Sequence, residues 1–222
     1  MTPRFSAWRT GAPYYLPLLI AGVLLAVALP GVWKAAVAAP VLGIGVFVLC
    51  FFRDPERAVA GGPEDIVSPA DGKVVAIEDL EESPYYEGPC KRISIFLSVF
   101  NVHVNRAPAN GTILRVEPKE GQYANAMRAD SSMINESNAI YMNTPHGPMT
   151  VRQISGAVAR RIVCACNPAD AVAKGDRLGM IKFGSRTELY LPPDAEIVTM
   201  LKDKVCGNTS ILARIPKSPP HD

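Results

Sequence analysis

The chain has 222 residues, 23 Lys and Arg against 21 Asp and Glu, and a formal net charge of +2 at neutral pH. So small an excess gives no field to steer a polyanion, and no nucleic-acid partner is expected. The length suits one domain with an appendage, and the uneven placement of the 48% apolar residues says where the appendage lies.

Residues 10–33 and 35–52 carry no charged side chain, and Lys34 stands alone between them. As helices rising about 1.5 Å per residue they would reach roughly 36 and 27 Å, near the ~30 Å hydrocarbon layer of a bilayer. Pro30-Gly31 breaks the pattern and supplies a turn. A cleaved signal peptide would end in small residues, whereas Phe51-Phe52-Arg53 closes the second stretch. Arg4 and Arg9 precede the pair and Arg53 and Arg57 follow it, which assigns both outer ends to the cytoplasmic side. The sequence therefore predicts a membrane-associated helical hairpin over residues 1–57, in the cell (inner) membrane. Residues 58–222 form a second domain on the cytoplasmic face. Whether the hairpin spans or only inserts is left open.

Beyond Asp54, Pro55, Gly61, Gly62 and Pro63 mark a short linker. Short segments of strand character follow at 74–77, 91–99, 112–116, 139–142, 149–154, 161–166, 178–183 and 187–191, mostly flanked by Gly, Pro, Asn or Asp. The run 91–99 alternates: Ile93, Ile95, Leu97 and Val99 on one face, Arg92, Ser94 and Ser98 on the other, with Phe96 the exception. The fold class expected is mainly β, a barrel- or sandwich-like domain with some α+β character, carrying the N-terminal helical hairpin. The terminal "PKSPPHD" is expected to fray.

Five cysteines, an odd count without regular spacing, predict free thiols on the cytoplasmic side. Cys164 and Cys166 share a face of a strand, but no second pair completes a zinc set, so they read as small buried residues and no metal is expected. Of the three histidines, His221 lies in the tail and His146 in the turn "NTPHGP". His103 follows a strand in the polar loop of "SVFNVHVNRAPANG". The stretch "SPADGKV" sets Asp71-Gly72 at a turn, a common scaffold pair. "KFGSRTELYLP" reads as strand, tight turn and strand, with Gly184-Ser185 at a hairpin tip. Ser185, His103 and Asp71 are residue types able to activate a hydroxyl: a base takes the serine proton and a carboxylate steadies the imidazolium. Composition alone does not bring them together. No nucleophile elbow, P-loop, Rossmann glycine pattern or zinc-protease motif is present.

The ordered set "FFRDPER", "SPADGKV", "FLSVFNVHVNRAP", "NESNA", "VRQISGAVARRIV" and "GDRLGMIKFGSRTELYLP" strongly resembles the phosphatidylserine decarboxylase family in its short form, over about residues 51–200. The resemblance implies an inactive proenzyme that cleaves itself at Gly184-Ser185 into a β chain, 1–184, and an α chain, 185–222. Ser185 Oγ would attack the Gly184 carbonyl, amide becoming ester, and glycine leaves that approach open and tolerates a strained turn. Elimination and hydrolysis would turn Ser185 into a pyruvoyl group, an electron sink for CO2 loss with no metal required. Phosphatidylserine of the membrane is the implied substrate and phosphatidylethanolamine the product, a step of phospholipid biosynthesis. Asp71 and His103 are carried over as the supporting pair. Longer members have a second histidine where this chain has Arg106, and Leu-Gly-Ser-Thr where this chain has Phe183-Gly184-Ser185-Arg186, so that either His103 serves both steps or another group replaces the missing imidazole. Arg186 and Lys182 are candidates for the lipid phosphate or carboxylate, although either alone reads as well as a solvated charge. A tethered domain meets a lipid substrate at high local concentration.

Two other readings remain open at this point. A non-catalytic membrane-tethered barrel-sandwich module, binding or carrying a ligand, suits "SPADGKV" and "GDRLGMIKF" and predicts one uncut chain. A pyruvoyl enzyme acting on a small soluble amino acid would need no membrane segment. A homo-oligomer is compatible with the sequence but not specified by it.

Overall fold

A computed structural model describes residues 5–122, 134–156, 161–182 and 185–215. The chain divides into two compact units, Met1–Pro55 and Glu56–Asp222. Gly184, His221 and the rest of the tail lie outside the described residues.

The first unit is a pair of apolar helices. Ser6 caps α1 (Ala7–Ala28) by accepting the Arg9 N–H at 3.4 Å. The chain turns at Pro30-Gly31, where Gly31 has φ +49°. A π-helical segment (Lys34–Ala38) then leads into α2 (Ala39–Phe51). The helices approach through glycine: a Cβ on Gly22 would stand 2.6 Å from Leu42 Cγ, and one on Gly45 would stand 2.8 Å from Leu19 Cδ2. Small residues at the contact let two apolar helices pack without burying polar groups. Ile20, Val23, Leu24, Val27, Ile44 and Val46 stay exposed on the outside. Both segments, Ala7–Ala28 and Lys34–Phe51, are long and apolar enough to cross a membrane by length and composition.

The second unit is built almost wholly of strands: β1 (Asp65–Val67), β2 (Gly72–Leu80), β3 (Cys90–Leu97), β4 (Val104–Arg106), β5 (Gly111–Lys119), β6 (Ser137–Thr144), β7 (Gly147–Ile154), β8 (Ile162–Cys164), β9 (Ala171–Val172), β10 (Arg177–Ile181), β11 (Ser185–Leu191), β12 (Glu196–Ile197), β13 (Lys204–Val205) and β14 (Ile211–Arg214). Eight of them form one sheet in the order β13-β2-β3-β11-β7-β6-β5-β9, and two three-stranded sheets, β1-β14-β12 and β4-β10-β8, complete the unit. One core takes side chains from all three. Ile93, Ile95, Leu97, Ile140, Val151 and Leu189 come from the large sheet, Ile66 and Ala213 from the second, and Leu178 from the third. The alternation in β3 is explained by this core, since Ile93, Ile95 and Leu97 are fully buried. Gly72 opens β2 where a Cβ would collide with Phe96 O at 2.2 Å, so the Asp-Gly pair permits close backbone approach.

One expectation is corrected. The segments on either side of Gly184-Ser185 do not form a hairpin. Among the described residues β10 pairs with β4 and β8, while β11 pairs with β3 and β7 in the large sheet. The chain steps from one sheet to the other at this point. Strand pattern and a Gly-Ser pair suggest a hairpin locally, but the partner of each strand is chosen by distant segments.

Candidate active site

Ser185 is the first residue of β11, opposite Leu97 in the register with β3. Alternation places Ser185, Thr187, Leu189 and Leu191 on the core face and Arg186, Glu188 and Tyr190 on the other. The Ser185 side chain is fully buried, and among the described residues its Oγ has no hydrogen-bond partner. A buried hydroxyl without a partner costs about 1–3 kcal/mol, so a fold that keeps one needs another reason to do so.

His103 lies just before β4, in the other sheet. β3 ends at Leu97, beside Ser185, and the loop that follows is pinned by Asn101, whose Oδ1 accepts the Ser98 N–H at 2.9 Å and its hydroxyl at 2.8 Å. At the far end of the loop the His103 carbonyl accepts the Ile181 N–H at 3.1 Å, four residues before Ser185. The two ends of this loop therefore flank the step from β10 to β11. The imidazole is fully buried, and its Nδ1 lies 3.0 Å from Asn101 O. A carbonyl only accepts, so Nδ1 carries a hydrogen, and in the neutral tautomer this puts the lone pair at Nε2.

Asp71 is placed differently. It precedes β2, which is separated from β11 by β3, a span of about 10 Å at ordinary strand spacing. Its buried carboxylate is held by Arg57, with Nη2 to Oδ2 at 2.9 Å, and by the Gly207 N–H at 2.8 Å. Arg57 Nη1 also reaches Gly207 O at 3.2 Å. This gives Arg57 of "FFRDPER" a structural partner that linear sequence did not indicate. Arg57→Met is expected to cost about 2–3 kcal/mol, because it leaves a mostly buried carboxylate with less compensation. Denaturant unfolding in detergent reads the loss, and adding Asp71→Asn should recover part of it.

Neither suspected lipid-binding cation is a solvated hairpin charge. Lys182 is 4% exposed and Arg186 6%. The Lys182 backbone N–H bonds Arg161 O at 3.2 Å. Arg186 projects from the face opposite Ser185, 4.0 Å from Glu188 Oε1, and burial pushes its pKa down. That face holds a buried charged cluster. Arg152 Nη1 lies 3.2 Å from Glu188 Oε2, Tyr190 donates to the same oxygen at 2.8 Å, and the Tyr85 ring covers the Arg152 guanidinium at 3.9 Å.

Two cavities lie beside the large sheet. The larger, about 660 Å³, lies at the far end of β11 beside Pro192, with Pro63, His146 and Lys174 in its wall. His146 Nε2 is 2.7 Å from Pro63 O there, in keeping with its reading as a loop residue. A second, about 510 Å³, lies at the Ser185 end between Ser137 and Asn138 of β6 and Arg161, Ile162 and Cys164 around β8. Cys164 and Cys166 face one another with 3.6 Å between sulfurs, and the Cys166 thiol donating to Cys164 draws the Cys164 pKa down to about 6. Among the described residues no cluster of three His, Cys, Asp or Glu side chains has metal-site geometry.

Sequence reading passed over Asn105, Gln153 and Thr187, which lie on the core face next to these groups. The signal was present: each is polar at an inward step of the strand period, as in Met149, Val151, Gln153 and in Thr187, Leu189, Leu191.

Comparison with known proteins agrees with the motifs. Residues 44–213 match the family model described as phosphatidylserine decarboxylase. A phosphatidylserine decarboxylase proenzyme of Solibacter usitatus is 44% identical over 207 residues, covering 92% of this chain and 95% of that protein. The proenzyme of Carboxydothermus hydrogenoformans is 44% identical over 171 residues, 77% of this chain and 80% of its own. That of Aromatoleum aromaticum is 37% identical over 201 residues, 90% and 93% respectively. With a matched segment that takes in β11, the loop bearing His103 and the turn bearing Asp71, this chain belongs to the phosphatidylserine decarboxylase family.

Proposed function

We propose that the chain is a proenzyme that cleaves itself between Gly184 and Ser185 and then decarboxylates phosphatidylserine to phosphatidylethanolamine. The observation that carries this reading is the Ser185 hydroxyl, buried and unpaired at the first residue of β11, in a chain whose relatives are named proenzymes.

In the cleavage, His103 Nε2 takes the Ser185 hydroxyl proton as Oγ attacks the Gly184 carbonyl, and the C–N bond breaks while a C–O bond forms. Loss of the Ser185 Cα proton then expels the 1–184 chain as a carboxylate. Water hydrolyses the remaining enamine, through its imine tautomer, to a ketone, with release of ammonia. Ser185 fits the origin of such a group, since its Oγ is buried opposite Leu97 with no hydrogen-bond partner among the described residues. When present, the pyruvoyl group supplies the electron sink for loss of CO2. The chain's own part is to exclude water and to return a proton from His103 to the headgroup carbon. Lys182, close to the step in the chain, is the better of the two candidate cations for the substrate's phosphate or carboxylate. Asp71 would act on this site through the position of β2 and β3. The apolar helices support attachment to the membrane that holds the substrate, and Arg4, Arg9, Arg53 and Arg57 support a cytoplasmic catalytic unit.

Intact-mass analysis of the purified protein under denaturing conditions tests the reading. Two chains dividing at 184/185, the smaller with a pyruvoyl terminus, are expected. A single uncut chain that stays uncut in lipid would favour the binding or carrier module instead.

A further inference from the structure

Asn138, Gln153 and Thr187 form one cross-strand row on the core face of the large sheet, Asn138 opposite Gln153 and Gln153 opposite Thr187. The next inward row, Ile140, Val151 and Leu189, is wholly apolar. Asn105 enters the polar row from β4, in the other sheet. The bonds run in one direction: Asn138 Nδ2 to Gln153 Oε1 at 3.0 Å, Gln153 Nε2 to Asn105 Oδ1 at 2.9 Å, and Asn105 Nδ2 to Thr187 Oγ1 at 2.9 Å. Asn105, Gln153 and Thr187 are fully buried, and Asn138 is 4% exposed. Burying three amides in a core is costly unless their hydrogen bonds are met, and an apolar row would avoid the cost altogether.

The row sits where two sheets must hold register. His103 is two residues before Asn105, and Ser185 two before Thr187. Along β4 and β10 the register runs from His103 beside Ile181 to Asn105 beside Gly179, away from the step to β11. The Asn105–Thr187 bond thus lies one strand period from the positions of His103 and Ser185 on the same two segments. The chain also joins four motifs: "FNVHVNRAP" through Asn105, "NESNA" through Asn138, "VRQISG" through Gln153 and "GSRTELYLP" through Thr187. The motif "NESNA" had no other role in the site.

We propose that Asn105, oriented by Gln153, is a positioning residue for the reaction at Ser185. It ties the strand that carries His103 to the strand that Ser185 begins and fixes the separation of imidazole and hydroxyl. This rests on Ser185 being the self-cleavage nucleophile. A displacement of about 1 Å between reacting groups can cost about a hundredfold in rate.

The test follows full-length chains made by cell-free synthesis in lipid, with pulse-chase gels for the 1–184 and 185–222 products. Activity on phosphatidylserine vesicles is then measured per cleaved chain. Asn105→Ala and Gln153→Ala should each slow cleavage about tenfold to a hundredfold, and the double variant should be little slower than the worse single. Their cleaved fractions should show lower kcat at unchanged KM. Asn105→Asp keeps the size and the acceptor for Gln153 but loses the donor to Thr187, and it carries the test if the alanine variant does not fold. Thr144→Val is the control: it removes the Thr144 Oγ1 bond to Gly147 O, 2.7 Å, in the distant β6–β7 turn. It should melt earlier yet cleave at the normal rate. Cleavage of Asn105→Ala and Asn105→Asp at the wild-type rate, or slowing no greater than that of Thr144→Val, overturns the proposal while leaving the function intact. A wild-type chain that never cleaves overturns both.

Discussion

Ser185→Ala is expected to leave one uncut chain with no decarboxylase activity, and to unfold no earlier than the wild-type protein. The two halves of this expectation have different origins. Loss of cleavage follows from removing the nucleophile. Retained stability follows from burial: the Oγ has no partner, so its removal discards a desolvation penalty of about 1–3 kcal/mol and breaks no hydrogen bond. Denaturing gels, intact mass and a thermal melt in detergent read all three quantities. Two chains from the alanine variant would remove Ser185 from the chemistry. A misfolded variant would mean that the hydroxyl is structural.

His103 carries the second large effect. His103→Asn keeps a donor near the Nδ1 position, so the bond to Asn101 O at 3.0 Å survives, but it removes the lone pair at Nε2. General-base assistance is worth about 10²–10⁴ in rate, and cleavage should slow by that factor. Arg106 is turned toward Gly175 O at 3.1 Å. If the same imidazole serves decarboxylation, kcat per cleaved chain should fall as well. Wild-type cleavage by His103→Asn would assign the base elsewhere. Slow cleavage with normal kcat would separate the steps and leave decarboxylation to another donor.

Part of this could be read along the chain because local physics decides it. Two charge-free stretches broken by Pro30-Gly31 can only be helices in an apolar setting, and the helices fall there. The period of two in residues 91–99 identified the face that meets the core, where Ile93, Ile95 and Leu97 are buried, although Ser94 of the other face is buried as well. The motifs around Gly184-Ser185, with those before them in fixed order, indicated the family that the comparison shows. Strand partners were not decided locally. Periodicity tells which face of a strand is buried but not which strand lies beside it, so the segment around Ser185 looked like a hairpin. Only the pairing of β10 with β4 and β8, and of β11 with β3 and β7, made it a step between sheets. The same long-range pairing buries Arg186 and Lys182, gives Asp71 to Arg57, and aligns Asn138, Gln153 and Thr187 for Asn105 to join. Each of those contacts links residues 14 to 82 positions apart. At such separations the chain carries no local signal, and the tertiary fold alone chooses the partner.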